Sequence, residues 1–278
     1  MGTREALYPF IDIALARRLE RAEASGNAAS VEARATIAPD VGATWIEVAG
    51  AYAMFDGVGS PLTQTFGLGL FQAVGTAEMD RLERFFRERD SAVFHEVSPL
   101  AHAGLVGLLN DRGYQPLEFT SVMFRPLHAN LAPLDAPPTR VSARVIRADE
   151  CDAWTKTAAE GWSEFPEVEG FMRDIGRLNT TRADATCFVA EADGRPIATG
   201  VLGMHDGVAL LAGASTIPSG RRQGAQLALL DARLRLAAEK GCDLAMMCAS
   251  PGSASQRNAE RHGFRVAYTR VKWQKTES

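Results

Sequence analysis

The chain has 278 residues, of which 46% are hydrophobic and 23% charged, with a formal net charge of −4. That length and apolar content supply one large core or two ordinary domains. The mildly acidic balance excludes the strongly basic footprint of a nucleic-acid binder, and no apolar segment runs long enough to suggest a membrane span. The opening stretch "MGTREALYPFIDIALARRLERAE" has its apolar run broken by Asp12 and reads as no secretory leader. Ala6 stands where a myristoylation start needs Ser or Thr. Cys151, Cys187, Cys242 and Cys248 form no C-x-x-C pair and have no metal-type spacing with the histidines. They read as reduced thiols of a cytoplasmic protein, and no metal is expected.

In the first part, "QTFGLGLFQAV" (64–74) is strand-like, and "TAEMDRLERFFRERD" (76–90) is a helix with Thr76 as its cap. "AVFHEVS" (92–98) is a strand, "PLAHAGLVGLLNDRGYQPL" (99–117) a helix ending at Gly113-Tyr114, and "FTSVMFRPL" (119–127) a closing strand. The run "LAPLDAPPT" has three prolines and no periodicity, and marks a linker over 131–140. Domains are therefore expected at 1–130 and 141–278.

The second part alternates more clearly. A strand over 143–150 leads into a helix over 151–162 and a second over 169–179. Three strands follow between 186 and 216, turning at Asp193-Gly194 and Asp206-Gly207, the strongest short hairpin signal. A long helix after Ser219 repeats Leu227, Leu230 and Leu234 at helical spacing and ends at Lys240-Gly241. A short buried strand spans 242–249. The helix over 253–261 has Ser253 and Gln256 at capping-box spacing, Gly263 closes it, and a final strand or strand pair spans 264–273. Ser98-Pro99 matches Ser250-Pro251, and Arg112-Gly113-Tyr114 matches His262-Gly263-Phe264, which suggests a duplicated α/β unit.

One stretch sets a chemical question. "TIPSGRRQGAQ" (216–226) puts Arg221 and Arg222 at the start of a helix, where partial positive charge and unpaired amides favour acidic or hydroxyl residues. Pro218 ends the preceding strand or splays it, and Gly220 and Gly224 permit close backbone approach. Amides from Arg222 to Gln226, the helix dipole and two guanidinium groups together describe a phosphate cradle. An ordinary turn with two solvent-facing arginines is the alternative. The Walker and dinucleotide patterns are excluded, because Ala225-Gln226 follows Gly224 and Gln72 replaces the third glycine after Gly67-Leu68-Gly69.

Arg221-Arg-Gln-Gly224-Ala-Gln226 resembles the Arg/Gln-x-x-Gly-x-Gly/Ala signature of the GNAT superfamily of acyl-CoA-dependent N-acyltransferases. Asn258 with Gly263-Phe264 resembles the family's N-x-x-x-x-Gly-Phe segment, and the likeness covers about 141–275. It implies an α/β (α+β) fold of two GNAT-like domains, each a mixed, mostly antiparallel twisted sheet flanked by helices. It also implies that the strand ending Ser215-Thr216-Ile217 splays from strand 242–249, leaving an open edge for the pantetheine arm of acetyl-CoA. Arg221, Arg222, Gln223, Gly224, Ala225 and Gln226 would hold the pyrophosphate, and Asn258 would face the pantetheine. The backbone around Ile217 would polarise the thioester carbonyl.

Two departures stand out. Gln226 replaces the final small residue, and Ala259 occupies the place of the family's tyrosine acid. Tyr268 and Cys248 are substitute proton donors. Glu160, Glu164, Glu167 and Glu169 are candidate bases, with Glu164 favoured, and Trp162 and Phe165 are either an acceptor floor or core. Arg257, Arg261 and Arg265 either help with a further phosphate or form a solvated face. The first part has no cradle, and Glu78 there would repel phosphate; it reads as a degenerate copy that packs on the active one. The expected activity is acetyl transfer to a primary amine of a small molecule by direct attack, with a homodimer admitted and neither nucleic acid nor membrane as partner. A CoA-binding sensor without chemistry and a protein-lysine acetyltransferase are the alternatives.

Overall fold

The computed structural model describes residues 8–129, 134 and 140–276. The expected linker lies outside these residues, apart from Leu134 and Arg140. In chain order the first elements are α1 (Ile13–Ile37), β1 (Thr44–Val48), β2 (Ala51–Phe55), β3 (Gln64–Phe66), α2 (Thr76–Arg87), β4 (Phe94–Val97), α3 (Leu105–Asp111) and β5 (Tyr114–Pro126). Then come β6 (Val141–Val145), α4 (Cys151–Glu160), α5 (Pro166–Thr181), β7 (Ala185–Ala192), β8 (Arg195–His205) and β9 (Val208–Thr216). The chain closes with α6 (Ala225–Glu239), β10 (Leu244–Ala249), α7 (Ala254–Arg261) and β11 (Arg265–Lys275).

Contacts divide the chain into two units, 1–125 with 248–278, and 126–247. This differs from the expected boundary, because residues 248–278 are held with the first part of the chain. The reason is long-range pairing. β11 pairs antiparallel with β4 over Val271–Gln274 and with β5 over Arg265–Lys275. It is one continuous strand with two register shifts.

In the first unit the strand order is β1-β2-β3-β4-β11-β5, antiparallel except for the parallel β3–β4 pair. α1 starts at Asp12, whose carboxylate accepts from the Leu15 amide at 2.8 Å. It lays Ala24, Ala28 and Val31 on Met54 and Phe66. α2 and α3 cover the opposite face with Met79, Leu82, Phe86, Leu105 and Leu109. Two expected elements are shorter here. The strand from Gln64 stops at Phe66, because Gly67 and Gly69 take φ of +78° and +70° and turn the chain. The helix expected from Pro99 starts only at Leu105, since the His102 amide is drawn to the Gly69 carbonyl at 2.9 Å. The N-cap of α2 is Gly75 rather than Thr76.

The same unit buries a dense charge cluster under α1. Arg270, 1% exposed, donates to both Glu20 and Glu23 and lies 3.4 Å from Glu96. Burial pushes the Glu96 carboxyl up to about 7, against the pull of Arg270.

In the second unit β6, β7, β8 and β9 pair antiparallel in sequence, and β10 joins β9 in parallel. Both Asp-Gly turns form as expected, with Asp193, Gly194, Asp206 and Gly207 all at positive φ. Trp154 of α4 packs on Cys187, Val189 and Val201 and donates its indole N–H to the Phe188 carbonyl at 2.7 Å. Both units are thus mixed, mostly antiparallel sheets flanked by helices, as the resemblance implied. No described helix is long and apolar enough to cross a membrane.

Candidate acyl-CoA site

Two features of the second unit meet along β9. The first is a parting of strands. β10 pairs with β9 only at Val208, Ala209 and Leu210, whereas β9 continues to Thr216. Ala212, Gly213 and Ala214 are consequently solvent-exposed in mid-strand. The second is a bulge on the other side of β9. Thr199 faces Ser215 and Val201 faces Ala212, so Gly213 and Ala214 stand opposite Gly200 alone. Gly213 has φ +57°, and a Cβ there would lie 2.9 Å from Val201 Cγ2. Glycine satisfies both the backbone angle and the contact.

Past Thr216 the chain makes a 3-10 turn over Pro218–Gly220 and enters α6 at Ala225. Gly224, the N-cap, has φ +90°, provides no side-chain cap, and no acidic residue occupies the first turn. The amides of Arg222, Gly224, Ala225 and Gln226 donate to no acceptor among the described residues. A row of unspent N–H groups at a helix start is costly unless water or an anion receives it. Arg222 is exposed, has φ +63°, and its side chain has no partner among the described residues. The Gln226 side chain, the departure from the family signature, turns aside and donates to Thr216 Oγ1 at 2.7 Å.

Other expected site residues are placed as follows. Ser215 is buried and donates to the Ala158 carbonyl at 2.8 Å, which ties β9 to α4. The Ile217 amide is spent on the Ile197 carbonyl at 3.0 Å, so it is not a free donor for a thioester oxygen. The backbone without a ladder partner on β8 lies instead at Gly213–Ala214. Glu164 is exposed and forms a 2.5 Å ion pair with Arg221, which also donates to the Gly161 carbonyl. Trp162 and Phe165 flank it, 37% and 50% exposed, so they are not core.

Asn258 and Tyr268 belong to the other unit, on α7 and β11. The Tyr268 hydroxyl donates to Glu20 Oε1 at 2.9 Å, and burial with the Glu20 charge raises its pKa well above the usual phenol value. Cys248 donates to Glu23 at 3.2 Å, and burial raises its pKa as well. Both substitute acids are thus held protonated by carboxylates. Ala259 is 1% exposed. Of the three arginines near it, Arg257 donates to the Gly252 carbonyl and Arg265 stacks on Tyr8, consistent with a surface role. All four cysteines are free. Among the described residues no cluster of His, Cys, Asp or Glu is arranged to hold a metal.

Sequence reasoning missed the bulge and one buried cation. Arg233 of α6, 4% exposed, reaches across to β8 and β9. Only the small residues Gly200 and Gly213 hinted at the room it needs.

The first unit has the same path of strand, loop, helix and parallel strand, but its loop is closed on itself. Arg17 donates to the Leu70 and Phe71 carbonyls, the Val74 amide donates to His102 Nε2, and the Gly75 amide donates to Glu78 Oε2 at 2.9 Å.

The second unit thus combines a splayed parallel strand pair with an uncapped, glycine-started helix. Residues 146–264 match the family model described as Acetyltransferase (GNAT) family, and this stretch of the chain is a GNAT acetyltransferase domain. Among solved structures, a GCN5-related N-acetyltransferase from Kribbella flavida is 22% identical with a TM-score of 0.58, covering 90% of this chain and 96% of that one. Another from Sphaerobacter thermophilus is 19% identical with a TM-score of 0.55, covering 81% and 76%. A tandem GNAT protein from the clavulanic acid biosynthesis pathway is 15% identical with a TM-score of 0.56, covering 82% and 79%. At such identities the likeness is one of fold. No curated protein sequence matches the chain.

Proposed function

We propose that the chain is an N-acyltransferase moving an acetyl or similar acyl group from acyl-CoA to a primary amine of a small molecule, by direct attack. The observation that carries this reading is the row of undonated amides at Arg222, Gly224, Ala225 and Gln226 on an uncapped helix. It fits a diphosphate, with Arg222 free to add a charge-assisted bond and Arg221 available by exchange from Glu164. The open edge of β9 fits the pantetheine arm as an added strand. Acyl-CoA would supply an activated thioester, and the chain would orient it along β9 and exclude competing water. Gly213–Ala214 supplies the unpaired backbone nearest the role first assigned to Ile217. Glu164 is the carboxylate assigned in this reading to take the amine proton once Arg221 has turned to the phosphate. The GNAT domain supports acyl transfer as the reaction class. The free thiols fit a reducing, cytoplasmic setting.

The test is thiol release from acetyl-CoA across a panel of primary amines, with calorimetric titration of CoA in parallel. CoA binding with turnover on at least one amine is expected. Absence of CoA binding would sink the reading. Tight CoA binding without turnover would favour a sensor, the reading that buried Ala259 at the usual tyrosine position supports.

A further inference from the structure

Arg233 is an unusual residue to bury. It projects from the inner face of α6 and is 4% exposed, and no carboxylate accompanies it among the described residues. Its partners are carbonyl oxygens alone. Nε donates to Leu229 of its own helix at 3.1 Å, and Nη1 donates at 3.3 Å to both Val201 on β8 and Ala212 on β9. Burial without a counter-charge lowers its pKa to about 10. Burying a guanidinium in this way costs several kcal/mol unless something specific is gained.

The gain is visible in the register. Val201 and Ala212 are the pair at which antiparallel pairing resumes after the bulge. Their two carbonyls converge on one guanidinium nitrogen, which ties β8 to β9 at the point where the ladder is broken. Gly200, the single residue opposite Gly213–Ala214, makes the room: a Cβ there would lie 3.1 Å from the guanidinium carbon. Without the arginine, the buried Val201 carbonyl and the part-buried Ala212 carbonyl lose their donor, and one way to regain ladder bonds is to slide β9 by one residue and close the bulge. That slip would turn the exposed Ala212–Ala214 edge away from the gap left by β10.

We propose that Arg233 is a positioning residue, whose guanidinium staples the β8–β9 bulge and so keeps the Gly213–Ala214 backbone presented to the pantetheine arm of acyl-CoA. This rests on the acyl-CoA reading of the site. It does not involve the phosphate loop, which lies at the other end of α6's first turns and receives nothing from Arg233. The staple should therefore matter for the pantetheine half of the ligand and not for the nucleotide half.

The two halves separate experimentally. Arg233→Met and Gly200→Ala are made in the full chain, the second crowding the guanidinium, which must give by a few tenths of an ångström, while keeping its charge. Each is titrated calorimetrically with CoA and with adenosine 3′,5′-bisphosphate, which lacks the pantetheine arm, and amide hydrogen exchange is followed over 211–216. CoA is expected to bind about tenfold more weakly or worse in Arg233→Met and more weakly, by a smaller factor, in Gly200→Ala, with the bisphosphate within about twofold of wild type in both and the 211–216 amides exchanging faster. Equal weakening of both ligands, or of neither, overturns the positioning role. If Arg233→Met does not fold, Gly200→Ala decides alone. Wild-type protein that binds neither ligand overturns the acyl-CoA reading itself, a result distinct from failure of the staple.

Discussion

Replacing Arg222 with glycine should move stability and ligand affinity in opposite directions. Arg222 sits at φ +63° with an exposed side chain and no partner among the described residues. An L-residue in that conformation costs about 1–2 kcal/mol, which glycine recovers. Glycine returns roughly 0.5–1 kcal/mol of this as added freedom of the unfolded chain. The net change is about 0–1.5 kcal/mol in favour of the folded state, a melting temperature unchanged or raised by up to about 6 °C. Loss of a charge-assisted bond to a diphosphate costs about 1.5–3 kcal/mol, or about 10- to 150-fold in Kd. Thermal melting without ligand and calorimetric titration of CoA measure the two effects on the same preparation. A variant that binds CoA as tightly as wild type would remove Arg222 from the cradle. One that melts well below wild type would show that its backbone is not strained but needed.

Three further outcomes are expected. Glu164→Gln frees Arg221 from its exposed ion pair; such pairs contribute about 0.2–1 kcal/mol, so CoA should bind about 1.5- to 5-fold more tightly, and weaker binding in titration would contradict the exchange. Leu227→Glu places a carboxylate three residues after the Gly224 cap, the spacing by which Glu78 reaches the Gly75 amide in the first unit. It should stabilise α6 yet weaken CoA at least tenfold, and undiminished affinity would show that the ligand does not use this helix start. Glu96→Gln concerns pH. The folded-state pKa of Glu96 is raised to about 7 by burial, so its favourable contribution is complete below the unfolded value near 4.5 and lost as pH rises through about 7. Chemical denaturation at pH 5 and pH 8 should show the variant gaining on wild type at the higher pH, and a constant difference would mean that Glu96 is ionised throughout.

The parts of the fold legible in the sequence are those fixed by local backbone chemistry. Asp193-Gly194 and Asp206-Gly207 announce their hairpins because both positions must take positive φ. Gly224 and Lys240-Gly241 bracket α6 for the same kind of reason. α1 was not legible. Its buried stripe is largely alanine, and Glu20 and Glu23 sit on its inner face, where a carboxylate normally signals solvent. Their partner Arg270 is 247 residues or more away in sequence, so no local pattern pairs them. The same limit hid the capture of β11 by β4 and β5. In the site, the residue types of the phosphate loop were legible and its hydrogen bonds were not. Ile217 has the expected position, but which acceptor takes its amide depends on Ile197, one strand away.

The two units differ in how their loops treat their own polar groups, and the difference is larger than a single missing arginine. Each has a strand, a loop, a helix and a parallel partner strand: β3 to β4 through α2, and β9 to β10 through α6. In the first, several polar groups of the loop have internal partners, and a carboxylate already stands at the helix start. The carbonyls of Leu70 and Phe71 take Arg17, the Val74 amide takes His102, and Glu78 takes the Gly75 amide. The second departs from local consistency in several places along one short path. Arg222 is strained, β9 has an open edge, and among the described residues four amides find no acceptor and Arg233 no counter-ion. Each feature alone lowers stability, and a chain selected only to fold would have repaired them as the first unit did. Their convergence on β9 and the start of α6 is what the proposed acyl-CoA would account for, a ligand both anionic, to occupy the amides, and extended, to occupy the edge.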